Sequence, residues 1–168
     1  PTFSNGVFTL NGSTQYIMSP DLNANYAMGS SAATNWTFEV WARPSGVTNS
    51  GILIDETGNP NQSGWHDSWM EFAGGNIRIS VWSNGAGISL GAYTANNWYQ
   101  IVMAYNGTTL YGYVNGALQN SAALTRSIPG GTIYYPLGGP ADITNLGNGS
   151  YYSGGIGAMR YYNRALTA

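Results

Sequence analysis

Six Asn-Gly steps punctuate this chain, beginning at Asn5, Asn11, Asn84, Asn106, Asn115 and Asn148. Asn followed by Gly takes the positive φ angles of two-residue hairpin turns at little cost, so a chain carrying many such steps folds back on itself repeatedly. The residues between the steps alternate. In the run Thr37 to Arg43, Phe38, Val40 and Ala42 fall on one face of an extended strand and Glu39, Trp41 and Arg43 on the other. In the run Ile77 to Trp82, Ile77, Ile79 and Val81 face one way, and Arg78, Ser80 and Trp82 the other. Further strands are expected at Val7 to Leu10, Gln15 to Met18, Gly51 to Ile54, Ser68 to Phe72, Trp98 to Tyr105, Leu110 to Val114 and Ile156 to Tyr162.

Helix is excluded as a main component, because no apolar i, i+3, i+4 rhythm survives three turns without a Gly, Pro or Asn. Many short strands, each with one apolar face, predict an all-β, two-sheet antiparallel β-sandwich. A length of 168 residues suits a single domain spanning 1–168, large enough to bury a core without a disulfide or metal staple. Two stretches rich in Gly, Pro and Asn, from Asn59 to Asp67 and from Pro129 to Gly155, read as long rim loops of the kind where binding groups collect.

Composition removes several function classes. Charged residues make up only 7% of the chain, Lys is absent, and five arginines in a chain of net charge −2 form no basic stripe for a phosphate backbone. Nucleic acid is therefore not an expected partner. No apolar run reaches the roughly 20 residues of a membrane-crossing helix, so no membrane partner is expected either. The absence of Cys excludes disulfides, thiol catalysis and cysteine zinc sites. The chain starts at Pro1 without an initiator Met, which marks a processed protein or a piece of a longer one.

The run from Trp98 through Tyr105 and Asn106-Gly107 to Leu110, Val114 and Asn115-Gly116 resembles the W-x-x-V-x-x-x-Y-x-G-x-x-L-x-x-Y-V-N-G hairpin of laminin-G-like domains. Phe8 to Ile17, Phe38 to Pro44 and Met159 to Leu166 stand in the order that family would give them, so the likeness spans nearly the whole chain. The resemblance implies a concanavalin A-like jelly roll. The combination is similar to versions found in bacteriophage structural proteins and bacterial surface proteins. Where relatives often place acidic residues before the last strand, this chain has Gly157-Ala158, so no role resting on those acids carries over.

Six Trp and 13 Tyr are the main functional signal. Aromatic rings offer flat apolar faces for the C–H faces of sugars, while Arg, Glu and Asn bond hydroxyls. Alternation turns Trp41, Arg43, Trp82, Arg78, Tyr111 and Tyr113 away from the apolar set, with Glu71 and Trp69 beside them, and these eight are the expected ligand-binding residues. The tyrosine pairs Tyr134/Tyr135 and Tyr151/Tyr152, and the tryptophan pair Trp65/Trp69, offer either a second site at the rim or anchors that pin the loops.

Catalysis finds less support. Glycoside hydrolysis needs two positioned carboxylates, and neither Glu-x-Asp-x-x-Glu nor Glu-x-Asp-x-Glu occurs. Asp55-Glu56 are adjacent and Glu71 is isolated, while His66 beside Asp67 lacks a nucleophile elbow. No catalytic residue and no cofactor is expected; calcium on oxygen ligands such as Asp21 and Asp142 is the one metal the composition allows. The expectation is a non-catalytic module recognising a neutral glycan or host-surface polysaccharide, located on a virion, outside a cell or on its surface. Its rivals are a structural virion or filament subunit, whose aromatics are buried against neighbouring copies, and a glycoside hydrolase or lyase.

Overall fold

The expected turn chemistry acts at two of the four described Asn-Gly steps. Asn5 and Gly6 have φ of 51° and 77° and join β1 (Thr2–Ser4) to β2 (Val7–Asn11). Asn115 and Gly116, at 51° and 81°, join β10 (Thr109–Val114) to β11 (Ala117–Ala123). The computed structural model describes residues 1–26, 35–59, 68–81, 87–124, 131–141 and 150–167. Its other elements are β3 (Ile17–Met18), α1 (Leu22–Tyr26), β4 (Trp36–Pro44), β5 (Asn49–Ile54), β6 (Trp69–Ala73), β7 (Asn76–Ser80), β8 (Ile88–Ala92), β9 (Tyr99–Tyr105), β12 (Pro136–Leu137) and β13 (Ser153–Tyr162).

Two antiparallel sheets result. A seven-stranded sheet runs β1-β2-β13-β4-β9-β10-β11, and a six-stranded sheet runs β3-β12-β5-β6-β7-β8. Alternation sets which face each strand buries. Phe38, Val40 and Ala42 of β4 and Ile101 and Met103 of β9 point into the sandwich, against Met70 and Phe72 of β6 and Ile77 and Ile79 of β7. Each such large side chain contributes about 1.5–3 kcal/mol of burial. Phe38 is central, its ring centroid 4.4 Å from that of Tyr135 and 5.6 Å from that of Trp36.

Four strands escape the sequence pattern. β11 is exposed along nearly all its length and carries no apolar stripe; it exists because the Asn115-Gly116 turn lays it beside β10. β1, β8 and the two-residue β12 lie outside the expected strands as well. The stretch from Pro129 to Gly155 is not simply a rim loop, because its described parts run through the core. Tyr135 and Tyr152 are fully buried, the first donating its hydroxyl to Glu56 and the second to the Gly155 carbonyl at 3.2 Å. These two tyrosines are therefore packing groups. Asp55 and Glu56 are also buried, and the Asp55 carboxylate accepts the amides of Glu56 at 2.9 Å and Ala141 at 2.8 Å.

Candidate functional site

The outward side chains expected to form one groove fall on two opposite faces of the sandwich. Trp41 and Arg43 on β4 and Tyr111 and Tyr113 on β10 decorate the outer face of the seven-stranded sheet. Trp69 and Glu71 on β6 and Arg78 on β7 decorate the outer face of the six-stranded sheet. With the core between them, the two sets cannot share a ligand. Period two tells which side chains leave the core, but not which sheet a strand joins. Trp82, Trp65, His66, Asp67, Asn84 and Asp142 lie outside the described residues.

On the seven-stranded sheet, Glu39 is the centre of a donor cluster. Its Oε1 accepts Gln100 Nε2 at 2.9 Å, Arg160 Nη1 at 2.9 Å and the Trp41 indole Nε1 at 3.1 Å, and its Oε2 accepts the Tyr162 hydroxyl at 3.1 Å. Register explains the convergence: Glu39 is opposite Arg160 on β13 and opposite Val102 on β9, two residues from Gln100 on the same face. Burial alone would raise the pKa of this carboxyl, but the bonds from Gln100, Trp41 and Tyr162 and the charge of Arg160 outweigh it and hold the group below its ordinary value.

Beside this cluster lies a groove of about 600 Å³ between Trp41 and Trp98, with Arg160 and Glu39 at one end. Both rings stand open, Trp41 at 38% and Trp98 at 37% exposure. The floor is made by a bulge in β13, where an irregularity in the pairing with β4 leaves Gly157 between Ile156 and Ala158. A β-carbon at Gly157 would sit 3.3 Å from the tip of the Trp98 ring and 3.8 Å from the Trp41 β-carbon, so glycine leaves the groove its depth. The Arg43 guanidinium lies 5.4 Å from the centre of the Trp98 ring, a cation–π contact that steadies both. On the far side of Glu39, a smaller depression of about 150 Å³ is lined by Gln100, Val102 and Tyr113. Tyr111 stands apart, accepting a bond from Asn106 Nδ2 at 3.4 Å.

The six-stranded sheet carries a self-contained triad. Arg78 Nη1 reaches Glu71 Oε1 at 3.1 Å while its guanidinium lies 5.6 Å from the centre of the Trp69 ring. Burial raises the Glu71 pKa, and the Arg78 charge opposes that rise. Among the described residues, no group of three or more His, Cys, Asp or Glu could hold a metal ion. Asp21 instead accepts the amides of Asn23 at 2.9 Å and Ile133 at 3.0 Å, tying the start of α1 to the segment before β12. No described helix is long and apolar enough to cross a membrane.

Residues 11–168 match the family described as the Concanavalin A-like lectin/glucanases superfamily. The chain belongs to it. No curated protein matches in sequence. Solved structures in the same superfamily shape include domain 4 of a GH43 extracellular arabinanase from Geobacillus stearothermophilus in complex with arabinotriose, 18% identical, with a TM-score of 0.67 over 95% of this chain and 71% of that one. The CBM40 of a Ruminococcus gnavus IT-sialidase, bound to alpha2,3 sialyllactose, is 14% identical with a TM-score of 0.68 over 96% of this chain and 91% of that one. A Trypanosoma rangeli sialidase is 14% identical with a TM-score of 0.70 over 95% of this chain, which spans only 25% of that enzyme. Identities this low establish the shared concanavalin A-like fold.

Of the eight residues expected to bind ligand, this member of the superfamily brings Trp41 to the larger groove, Arg43 against the Trp98 ring that borders it, and Tyr113 to its smaller neighbour. Trp98, Gln100, Gly157, Arg160 and Tyr162 were missed. Gln100 was within reach of the alternation argument, because it alternates with the buried Ile101 and Met103 of β9. Trp98 was not, since it precedes the strand it was assigned to and is brought over Gly157 only by the fold.

Proposed function

We propose that this superfamily member is a non-catalytic carbohydrate-binding module whose site is the groove between Trp41 and Trp98. One observation carries the reading: two exposed indole rings flank a glycine-floored groove with hydrogen-bonding side chains at its end. Ring faces receive the C–H face of a sugar, and Arg160 offers donors to its oxygens. The arabinotriose-bound arabinanase domain and the sialyllactose-bound CBM40 support it as relatives of the same shape. Hydrolysis is disfavoured because Glu39, the one carboxylate lining the groove among the described residues, is already engaged by four donors, and a glycosidase needs a second acid within about 5–9.5 Å. The setting we infer is extracellular, at a cell surface or on a virion.

The test is a glycan array followed by titration calorimetry of the best binder against wild type and Trp98→Ala. Loss of one stacking ring is expected to weaken binding about tenfold or more. Binding indifferent to Trp98→Ala, or no glycan above background, defeats the proposal. A second reading, a building block that covers its aromatics with a neighbouring copy, draws on Phe3 at 64% and Phe8 at 36% exposure, rings 4.6 Å apart at the sheet edge. Sedimentation of the purified chain separates the two: a monomer that binds glycan excludes the building block.

A further inference from the structure

Charge is scarce in this protein and unevenly spent. Of five arginines in a chain of net charge −2, three lie on or beside the outer face of the seven-stranded sheet: Arg43 on β4, Arg160 on β13 and Arg164 just after it. Glu39 is the one carboxylate on that face among the described residues, so three cations stand against one anion. The opposite face balances Arg78 with Glu71.

The cations are also available. Glu39 is almost fully buried and accepts four hydrogen bonds, one of them from Arg160, so much of its charge is compensated before a ligand arrives. Arg160 commits Nη1 to Glu39 yet remains 53% exposed, leaving its outer N–H edge at the mouth of the groove. Among the described residues no carboxylate pairs with Arg43, whose guanidinium is held over the Trp98 ring. An arginine fixed on one side by a carboxylate or an aromatic ring has lost less freedom still to be spent on binding, and its planar fork matches a carboxylate.

We propose that the groove selects an acidic saccharide, its carboxylate bound by Arg160, its ring between Trp41 and Trp98, and Arg43 adding attraction from the far end. This replaces the neutral glycan that the low overall charge predicts, and it rests on the carbohydrate-binding reading of the same site. Four residues along β4 from Glu39 to Arg43 separate the two cationic ends by roughly 13 Å, room for two or three sugar units between them.

The experiment uses an array on which each uronate- or nonulosonate-containing oligosaccharide is printed twice, as the free acid and as its neutral methyl ester, alongside sulfated oligosaccharides. The free acid is expected to bind about tenfold better than its ester, with the margin shrinking between 20 mM and 500 mM salt in about the way screened charges do. Arg160→Gln is expected to erase that margin, bringing free acid and ester to one common affinity, and Arg160→Lys to restore part of it. Thermal melts check folding, and Arg43→Gln, which breaks no ion pair, is expected to reduce the margin severalfold should Arg160→Gln not fold. Equal binding of acid and ester, or a margin that survives both variants, overturns the proposal while leaving the glycan site standing. Preference for the sulfated probes overturns the carboxylate assignment. Absence of binding to every probe defeats the underlying carbohydrate reading.

Discussion

Replacing Glu39 with Gln tests whether one carboxylate organises the face that carries the groove. The substitution keeps shape and one acceptor oxygen but removes the charge and turns an NH₂ toward a set of donors. Four hydrogen bonds between 2.9 and 3.1 Å converge on the wild-type group. A bond to a charged acceptor contributes about 1.5–3 kcal/mol and a neutral one about half that. The Tyr162 hydroxyl can rotate to accept from the new amide, and Arg160, half exposed, loses less than about 1 kcal/mol of ion pairing. The net loss comes to about 2 kcal/mol at pH 7, or about 4–8 °C in Tm for a domain of this size.

The pH dependence is the sharper part of this prediction. The native Glu39 pKa lies below the unfolded value of 4.5, so its stabilisation is whole above that value and lost as pH falls through the lower native value. A protonated Glu39 is nearly the isostere of Gln. Urea denaturation followed by tryptophan fluorescence, at steps from pH 7 to pH 3, is therefore expected to show the gap between wild type and Glu39→Gln closing at the acid end. A gap that stays constant down to pH 3, or widens on acidification, would refute the argument that ionised Glu39 is the organising group.

Other substitutions address the groove and the core separately. Gly157→Leu fills the groove floor against Trp98, and calorimetry is expected to show binding falling at least tenfold while the circular dichroism of the sheets persists. Tyr135→Phe removes the buried hydroxyl that donates to Glu56, and equilibrium unfolding is expected to show a loss of about 1–3 kcal/mol with glycan binding unchanged.

The fold was legible in the sequence because each of its determinants is local. Alternation from Phe38 to Ala42 names a buried face, and Asn115-Gly116 names a turn, whatever the rest of the chain does. β11 was illegible because Ala117 to Ala123 has no apolar face to announce it, and its pairing is a property of β10. The site was half legible for a related reason. Trp41 and Arg43 share a strand, so period two places both on its outer face. Arg160 and Glu39 are 121 positions apart and meet only through the β13–β4 register. Grouping Trp69, Glu71 and Arg78 with Trp41 failed because outward describes each sheet separately, and a sandwich has two outsides.

The placement of β13 governs the order in which this protein can come into being. It pairs with β2 on one side and β4 on the other, although residues 153–162 are made after every strand they join. Until the ribosome has released them, the hairpin of β1 and β2 has no neighbour and β4 shows a bare edge. The nascent chain must carry its unpaired strands until β13 emerges, and the seven-stranded sheet then closes from the middle, by contacts spanning well over a hundred residues. Folding of this kind is slow and exposed to mispairing. The same late strand supplies Gly157 and Arg160, so a chain interrupted before it has neither a closed sheet nor a groove.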